Sequence, residues 1–183
     1  MILDFGHNGA SASSLSSTEL ETLRLAYLES FPTDEQRPWE QLLGPIAEEF
    51  RFVPIYDRDE ALGFVTLWIL GDVVYVEHLM TLPQARGRGL GARVIECILE
   101  FCGPRPLVLE VEYEGASAMA SRRIGFYHRL GLSIQPIDYL QPPYTSDGAS
   151  VPLHLMCSRD LPLPALEQVR ADLYRYVYRV EGW

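Results

Sequence analysis

Apolar positions recur at two spacings along this chain, and the switches between them mark out its elements. Leu20, Leu23, Tyr27, Leu28 and Phe31 lie at helical intervals after Thr18, which with Glu21 has the form of a capping box, so a first helix is predicted over 18–31. Pro32 and the polar run to Arg37 interrupt that pattern, after which Trp39, Leu42, Leu43, Ile46, Ala47 and Phe50 mark a second amphipathic helix. From 51 to 82 the pattern becomes that of strands, with 52–56, 61–70 and 73–82 separated by charged and Gly-Asp turn signals. An antiparallel meander of three strands is expected there. Upstream, 1–5 reads as a short strand, and 6–17, rich in Ser, Gly and Ala, as a loop.

After Pro83 a glycine-rich turn opens onto Leu90, Val94, Ile95, Ile98, Leu99 and Cys102, which share one helical face up to Gly103-Pro104. A strand over 106–114 follows, so the two strands flanking this helix are expected to lie parallel through a crossover. A helix over 117–130, ending at Gly131, leads to strands over 133–139 and 151–158, which makes the sheet mixed. Leu166, Val169, Leu173, Tyr176, Val177 and Val180 then form a stripe on a C-terminal helix of about 164–181. That stripe packs on the protein's own core, the favoured reading, closes the acceptor cleft, or makes a homodimer contact. With 183 residues, one α/β domain over 1–183 is expected.

The formal net charge is −10, from 25 acids against 15 Lys and Arg, so the average field repels nucleic acid and anionic membrane surfaces and favours cationic partners. Arg86 and Arg88, with Arg122 and Arg123 further on, are the local exceptions, able to meet an anionic cofactor. Cys97, Cys102 and Cys157 are odd in number and lack a CxxC pair, which suits buried thiols in a reducing compartment. The N-terminus shows no basic segment followed by an apolar run, and no apolar stretch reaches membrane length, so a cytoplasmic location is expected. His7, His78, His128 and His154 are scattered without ligand spacing, and no metal site is assigned.

The chemistry concentrates in Leu82-Pro83-Gln84-Ala85-Arg86-Gly87-Arg88-Gly89-Leu90-Gly91, which lies between a strand and an amphipathic helix. Backbone amides converge there at the positive end of a helix dipole, alternate glycines permit close approach to a ligand, and the arginines add charge. Such a turn suits a phosphate. The alternating glycines fit neither the P-loop nor the GxGxxG dinucleotide pattern, which weighs against a nucleotide-binding enzyme. Gln84-Ala85-Arg86-Gly87-Arg88-Gly89 does resemble the Q/R-x-x-G-x-G/A signature of the GNAT N-acetyltransferase superfamily. The segment Gly125-Phe126-Tyr127-His128-Arg129-Leu130-Gly131-Leu132 is similar to its F-Y-x-x-x-G-F signature, with Leu132 in place of Phe.

That resemblance, which spans about three quarters of the chain, implies a GNAT-like mixed, mostly antiparallel twisted sheet with flanking helices and a splayed central parallel strand pair. It implies acetyl-CoA as cofactor and acetyl transfer to a primary amine, on a small molecule or a peptide, by direct attack in a ternary complex. Leu79, Met80 and Thr81 would take the pantetheine arm; Gln84, Arg86, Gly87, Arg88, Gly89, Leu90 and Gly91 would hold the pyrophosphate. Tyr127 would be the general acid. Ser121 stands in the helix where the family often carries a cofactor-binding Asn. Acids in otherwise apolar strands are costly unless paired or used, so Glu77 is the candidate base, and Glu110 and Glu112, alternate on one strand, are candidates for binding a cationic acceptor. His78 points to the face opposite Glu77 on an ideal strand, unless a bulge intervenes. The rival from another class is a non-catalytic acyl-CoA-binding module of the same fold.

Overall fold

The computed structural model describes residues 3, 5, 12–44, 46–58 and 60–180. Most of the candidate strand over 1–5 and the first part of the loop after it lie outside these residues. Helix α1 runs Ser17–Ser30, two residues earlier at its cap than Thr18 suggests. Ser16 and Glu19 form the capping box, the Ser16 hydroxyl accepting from the Glu19 amide while the Glu19 carboxylate accepts from the Ser16 amide at 2.8 Å. Two S/T-x-x-E frames overlap here. The earlier one places Leu15 before the cap and Leu20 in the first turn, both in the same apolar cluster, as a hydrophobic staple does. Glu21 instead pairs with Arg24.

The second helix is much shorter than the periodicity implies. α2 spans only Trp39–Leu43, Gly44 is extended, and Phe50 already begins a strand. The physical reason is in the sequence as Gly44-Pro45, since the residue before a proline is turned away from helical geometry. The meander follows as expected: β1 (Phe50–Asp57), β2 (Glu60–Leu70) and β3 (Val73–Thr81) pair antiparallel in that order. α3 (Leu90–Cys102) crosses over to β4 (Leu107–Glu112), which pairs parallel with β3. α4 (Ala118–Arg129), capped by the Ser117 hydroxyl, leads to β5 (Ser133–Ile134), β6 (Tyr139–Gln141) and β7 (Val151–Cys157). The single strand expected over 133–139 is thus two short ones, both paired with β7.

The resulting seven-stranded sheet has the order β1-β2-β3-β4-β7-β5, with β6 also paired to β7, and is mostly antiparallel with one parallel pair. Its two faces carry separate cores. Phe64, Trp68, Tyr75 and Leu155 face the side covered by α1, α2 and the C-terminal helix; Val65, Val74, Leu107 and Val111 face α3 and α4. The C-terminal element is α5 (Leu163–Asp172) continued by a π-helical segment, Leu173–Tyr178. It packs on the first of these cores through Leu166, Leu173 and Val177. Of the predicted stripe, Tyr176 is 38% exposed, whereas Tyr178, which the stripe omits, is only 6% exposed. Among the described residues no helix is long and apolar enough to cross a membrane.

Candidate active site

β3 and β4 are hydrogen-bonded only from Val74 to Val76 against Leu107 to Leu109. Beyond that point they part, and the rest of β3, as far as Thr81, has its ladder only with β2. The gap is a cleft of about 520 Å³ in which Val76 to Thr81 face Leu109 to Glu112, with Met119, Arg123 and Tyr127 of α4 alongside. The sequence-predicted Glu77, Leu79, Met80, Thr81, Arg86, Glu110, Glu112 and Tyr127 all line it.

The cleft reaches Pro83 and Arg86; the glycine-rich turn follows, and the predicted Gly87, Arg88, Gly89 and Gly91 are not among the residues that line the cleft itself. Gly87 and Gly89 both have φ of +73°, a conformation that residues with a Cβ rarely adopt, and space around them is open. Gly89 is the N-cap of α3 and has no side chain to bond the first amides of the helix, which have no intrahelical carbonyl to meet. Arg88 is exposed, while the Arg86 guanidinium bonds the Thr81 carbonyl at 3.2 Å and the Ser30 hydroxyl at 3.1 Å. Two predicted residues sit elsewhere. The Leu90 side chain is core, leaving only its backbone for the turn, and Gln84 lines a separate small pocket against α1. Ser121 is exposed on α4.

On β3 the register slips, with Thr66 opposite His78 and Leu67 opposite Val76, so Glu77 is the extra residue of a β-bulge. The bulge turns Glu77 and His78 to the same side, correcting the alternation expected of an ideal strand. Thr66 Oγ1 lies 3.5 Å from one and 3.2 Å from the other. The Glu77 side chain is wholly buried and occupied, accepting from Arg37 Nε at 2.7 Å and from Trp68 Nε1 at 3.0 Å. Burial, the largest single influence, would push its carboxyl up, but the Arg37 charge, His78 and the hydrogen bonds from Trp68 and Arg37 together outweigh it and hold the carboxyl below the usual carboxylate range. This carboxylate is not open to an acceptor. His78 is held low by burial and hence neutral, with Nε2 3.1 Å from the Glu35 carbonyl and 3.2 Å from the Tyr27 hydroxyl.

Glu110 has the opposite environment. It is half-buried on the cleft wall, and burial pushes its carboxyl up to about 7, even though tyrosine hydroxyls hydrogen-bond its oxygens and pull it back. Tyr139 donates to Oε1, and Tyr178 lies 2.9 and 2.8 Å from the two oxygens. Tyr75, buried behind, is 3.2 Å from the Tyr178 hydroxyl. Glu112, on the same face of β4, pairs with Arg123 at 2.8 Å. Burial and the nearby Glu112 raise the carboxyl of Glu35, which lines the cleft as well.

Tyr127 is 9% exposed, and burial raises its phenol above the usual tyrosine value, so it stays protonated at neutral pH. Its neighbour Phe126 packs edge-on at 5.0 Å. The cysteines are free; Cys97 is half-buried rather than buried, and burial pushes the Cys102 and Cys157 thiols up to about 11 and about 12, where they are inert. Among the described residues no group of His, Cys, Asp and Glu could hold a metal ion.

Arg37, Tyr139, Tyr144 and Tyr178 escaped sequence reasoning. A buried acid in an apolar strand demands a cation, so Glu77 signalled that a partner exists, but nothing in the polar run before Trp39 says that Arg37 supplies it. The tyrosines carry no spacing signal at all.

Residues 20–132 match the acetyltransferase (GNAT) family. A structure from Bacteroides thetaiotaomicron, described as a GNAT-family acetyltransferase, is 34% identical and superposes with a TM-score of 0.84 over 99% of this chain and 100% of that one. The ribosomal-protein-S18-alanine N-acetyltransferase of Escherichia coli shares the fold at 19% identity, TM-score 0.56, over 78% and 88% of the two chains. So does the paiA N-acetyltransferase of Thermoplasma acidophilum, solved with coenzyme A, at 18% identity, TM-score 0.54, over 86% and 98%. An uncharacterised protein of Mycobacterium leprae is 30% identical over 122 residues, 63% of this chain but 34% of that protein's length.

Proposed function

Because the chain belongs to the acetyltransferase (GNAT) family, we propose that it transfers an acetyl group from acetyl-CoA to a primary amine by direct attack within a ternary complex. The observation that carries this is the parting of β3 from β4 after Val76 and Leu109, which opens unpaired backbone and two titratable groups of raised pKa, Glu110 and Tyr127, onto one cleft. The residues present fit the cofactor. The amides from Gly87 to Gly91, uncapped and at the positive end of α3, with Arg86 and Arg88 beside them, suit a pyrophosphate. Leu79, Met80 and Thr81, on the free edge of β3, suit the amides of a pantetheine arm. Bound there, acetyl-CoA supplies an activated thioester.

An alkylamine arrives as an ammonium with a pKa near 10.4 in the lysine case and must lose a proton before it can attack. Glu110, rather than Glu77, is the base. A carboxylate that is salt-bridged and held low is a poor proton acceptor, whereas one raised to about 7 is matched to neutral pH. Tyr127 keeps its proton and is the donor available to a departing thiolate. Glu112 and Glu35 give the acceptor side its negative charge and favour a cationic amine. Glu77 positions Arg37. The three free cysteines accord with a reducing cytoplasm, and 1–183 is taken as one catalytic unit.

Isothermal titration with acetyl-CoA, paired with Gly89→Glu, tests this. Micromolar binding is expected in the parent and none in the variant, which places a carboxylate and a Cβ where φ is +73°. A primary-amine library with thiol-release detection then separates an enzyme from a non-catalytic acyl-CoA-binding module, which would bind CoA and release no thiol. A folded protein that binds no acyl-CoA would refute both.

A further inference from the structure

Beside the cleft lies a second pocket of about 220 Å³, lined by Asp34, Arg37, Trp39, Thr145 and Asp147 among others. Among the described residues Tyr144 is the one that lines both. Its ring is held from several sides. The Arg37 guanidinium lies over it at 4.7 Å, Tyr178 packs at 5.1 Å and His78 at 6.1 Å. The segment that carries it is tied to the turn after α1, where the Asp34 carbonyl accepts from Gln141 Nε2 at 3.2 Å and the Asp34 carboxylate accepts from the Ala149 amide at 3.2 Å. Tyr144 is therefore a rigid wall rather than a loose side chain, set on the acceptor side of the cleft with Glu35 and Glu110.

We propose that Tyr144 determines specificity by length: its ring closes the acceptor end of the cleft, and the amine accepted must end before it. This deepens, and rests on, the acetyl-CoA reading of the same cleft. The wall matters because the space behind it is chemically suited to the far end of a longer acceptor. Asp34 and Asp147 on its lining favour a second cation there, since the charge of Arg37, which also lines it, is taken up by Glu77 at 2.7 Å, so a diamine is the chemical class that would gain most from the opened partition.

The test needs no knowledge of the natural acceptor. Conjugates in which the CoA sulfur is joined through an acetamide link to α,ω-diamines of increasing length are titrated calorimetrically into the full chain, into Tyr144→Ala and into Tyr144→Leu. In the parent, affinity is expected to collapse beyond a limiting length. Tyr144→Ala moves that limit outward by about two methylenes or more, so that the longer conjugates gain about tenfold or more relative to the shortest. Tyr144→Leu, which opens only the distal part of the wall, shifts it less and carries the comparison by itself if the alanine variant does not fold. The same length profile in parent and variants would overturn the inference while CoA binding stands. Failure of CoA alone to bind the parent would overturn the cofactor reading, and this inference with it.

Discussion

Glu77 and Glu110 are the same residue type on adjacent strands, and their surroundings give them opposite chemistry. Glu77 meets a guanidinium and an indole N–H and is fixed as an anion; Glu110 meets tyrosine hydroxyls, which stabilise a carboxylate without supplying a charge. Burial then dominates for Glu110 and lifts it to about 7. As the proposed base it would work only when deprotonated, so kcat/KM is expected to rise with pH through about 7. Glu110→Gln should lower turnover by about 100- to 10,000-fold and remove that limb of the profile. A pH–rate series on parent and variant checks both; an unchanged limb in Glu110→Gln would assign it to another group. The stability sign is separate. From the ordinary carboxylate range up to about 7 the folded chain keeps on Glu110 a proton that the unfolded chain has lost, so this group contributes stability that is lost as pH rises through that window.

Two irregular elements bring these groups to the cleft. The β3 bulge puts Glu77 and His78 on one side, where a regular strand would separate them. The π-helical turn does the same for the C-terminal segment. An α-helix advances about 100° per residue, while i→i+5 bonding widens the turn to about 4.4 residues and cuts the advance to about 80°. Over five residues from Leu173 the difference swings Tyr178 inward onto Glu110 and leaves Tyr176 outside. Arg37 fastens the two irregularities together, bonding Glu77 at 2.7 Å and the Val177 carbonyl at 2.8 Å. Removing one partner of a buried pair leaves the other charge uncompensated, so Arg37→Met is expected to cost about 3–5 kcal/mol, with the Arg37→Met/Glu77→Met double variant recovering part of the loss. Urea unfolding of the parent, of Arg37→Met and Glu77→Met singly, and of the double variant measures this. A double variant weaker than either single one would show that the pair contributes more than mutual neutralisation.

At the scale of the whole molecule, a net charge of −10 and an acid-lined cleft set a field that attracts a cationic acceptor. Raising ionic strength from 0.01 to 0.15 M shortens the screening length from about 30 to about 8 Å, so KM for a cationic amine is expected to rise severalfold. Initial rates at fixed acetyl-CoA check this, and a constant KM would confine the attraction to short-range contacts. The sequence by itself determined the meander, the crossover helix, the glycine-rich turn and the position of Tyr127. Each rests on local periodicity, turn chemistry or a contiguous motif, all of which act over a few residues. It also carried the Gly44-Pro45 stop that cut α2 short, a signal outweighed by the apolar spacing around it. Tertiary structure alone decided which acid is ionised and which is poised. That choice depends on Arg37, Tyr139 and Tyr178 arriving at β3 and β4 from 40, 29 and 68 positions away in the chain. A bulge aims Glu77 and a π turn aims Tyr178, and the desolvation of these groups is a property of the packed cleft rather than of any segment.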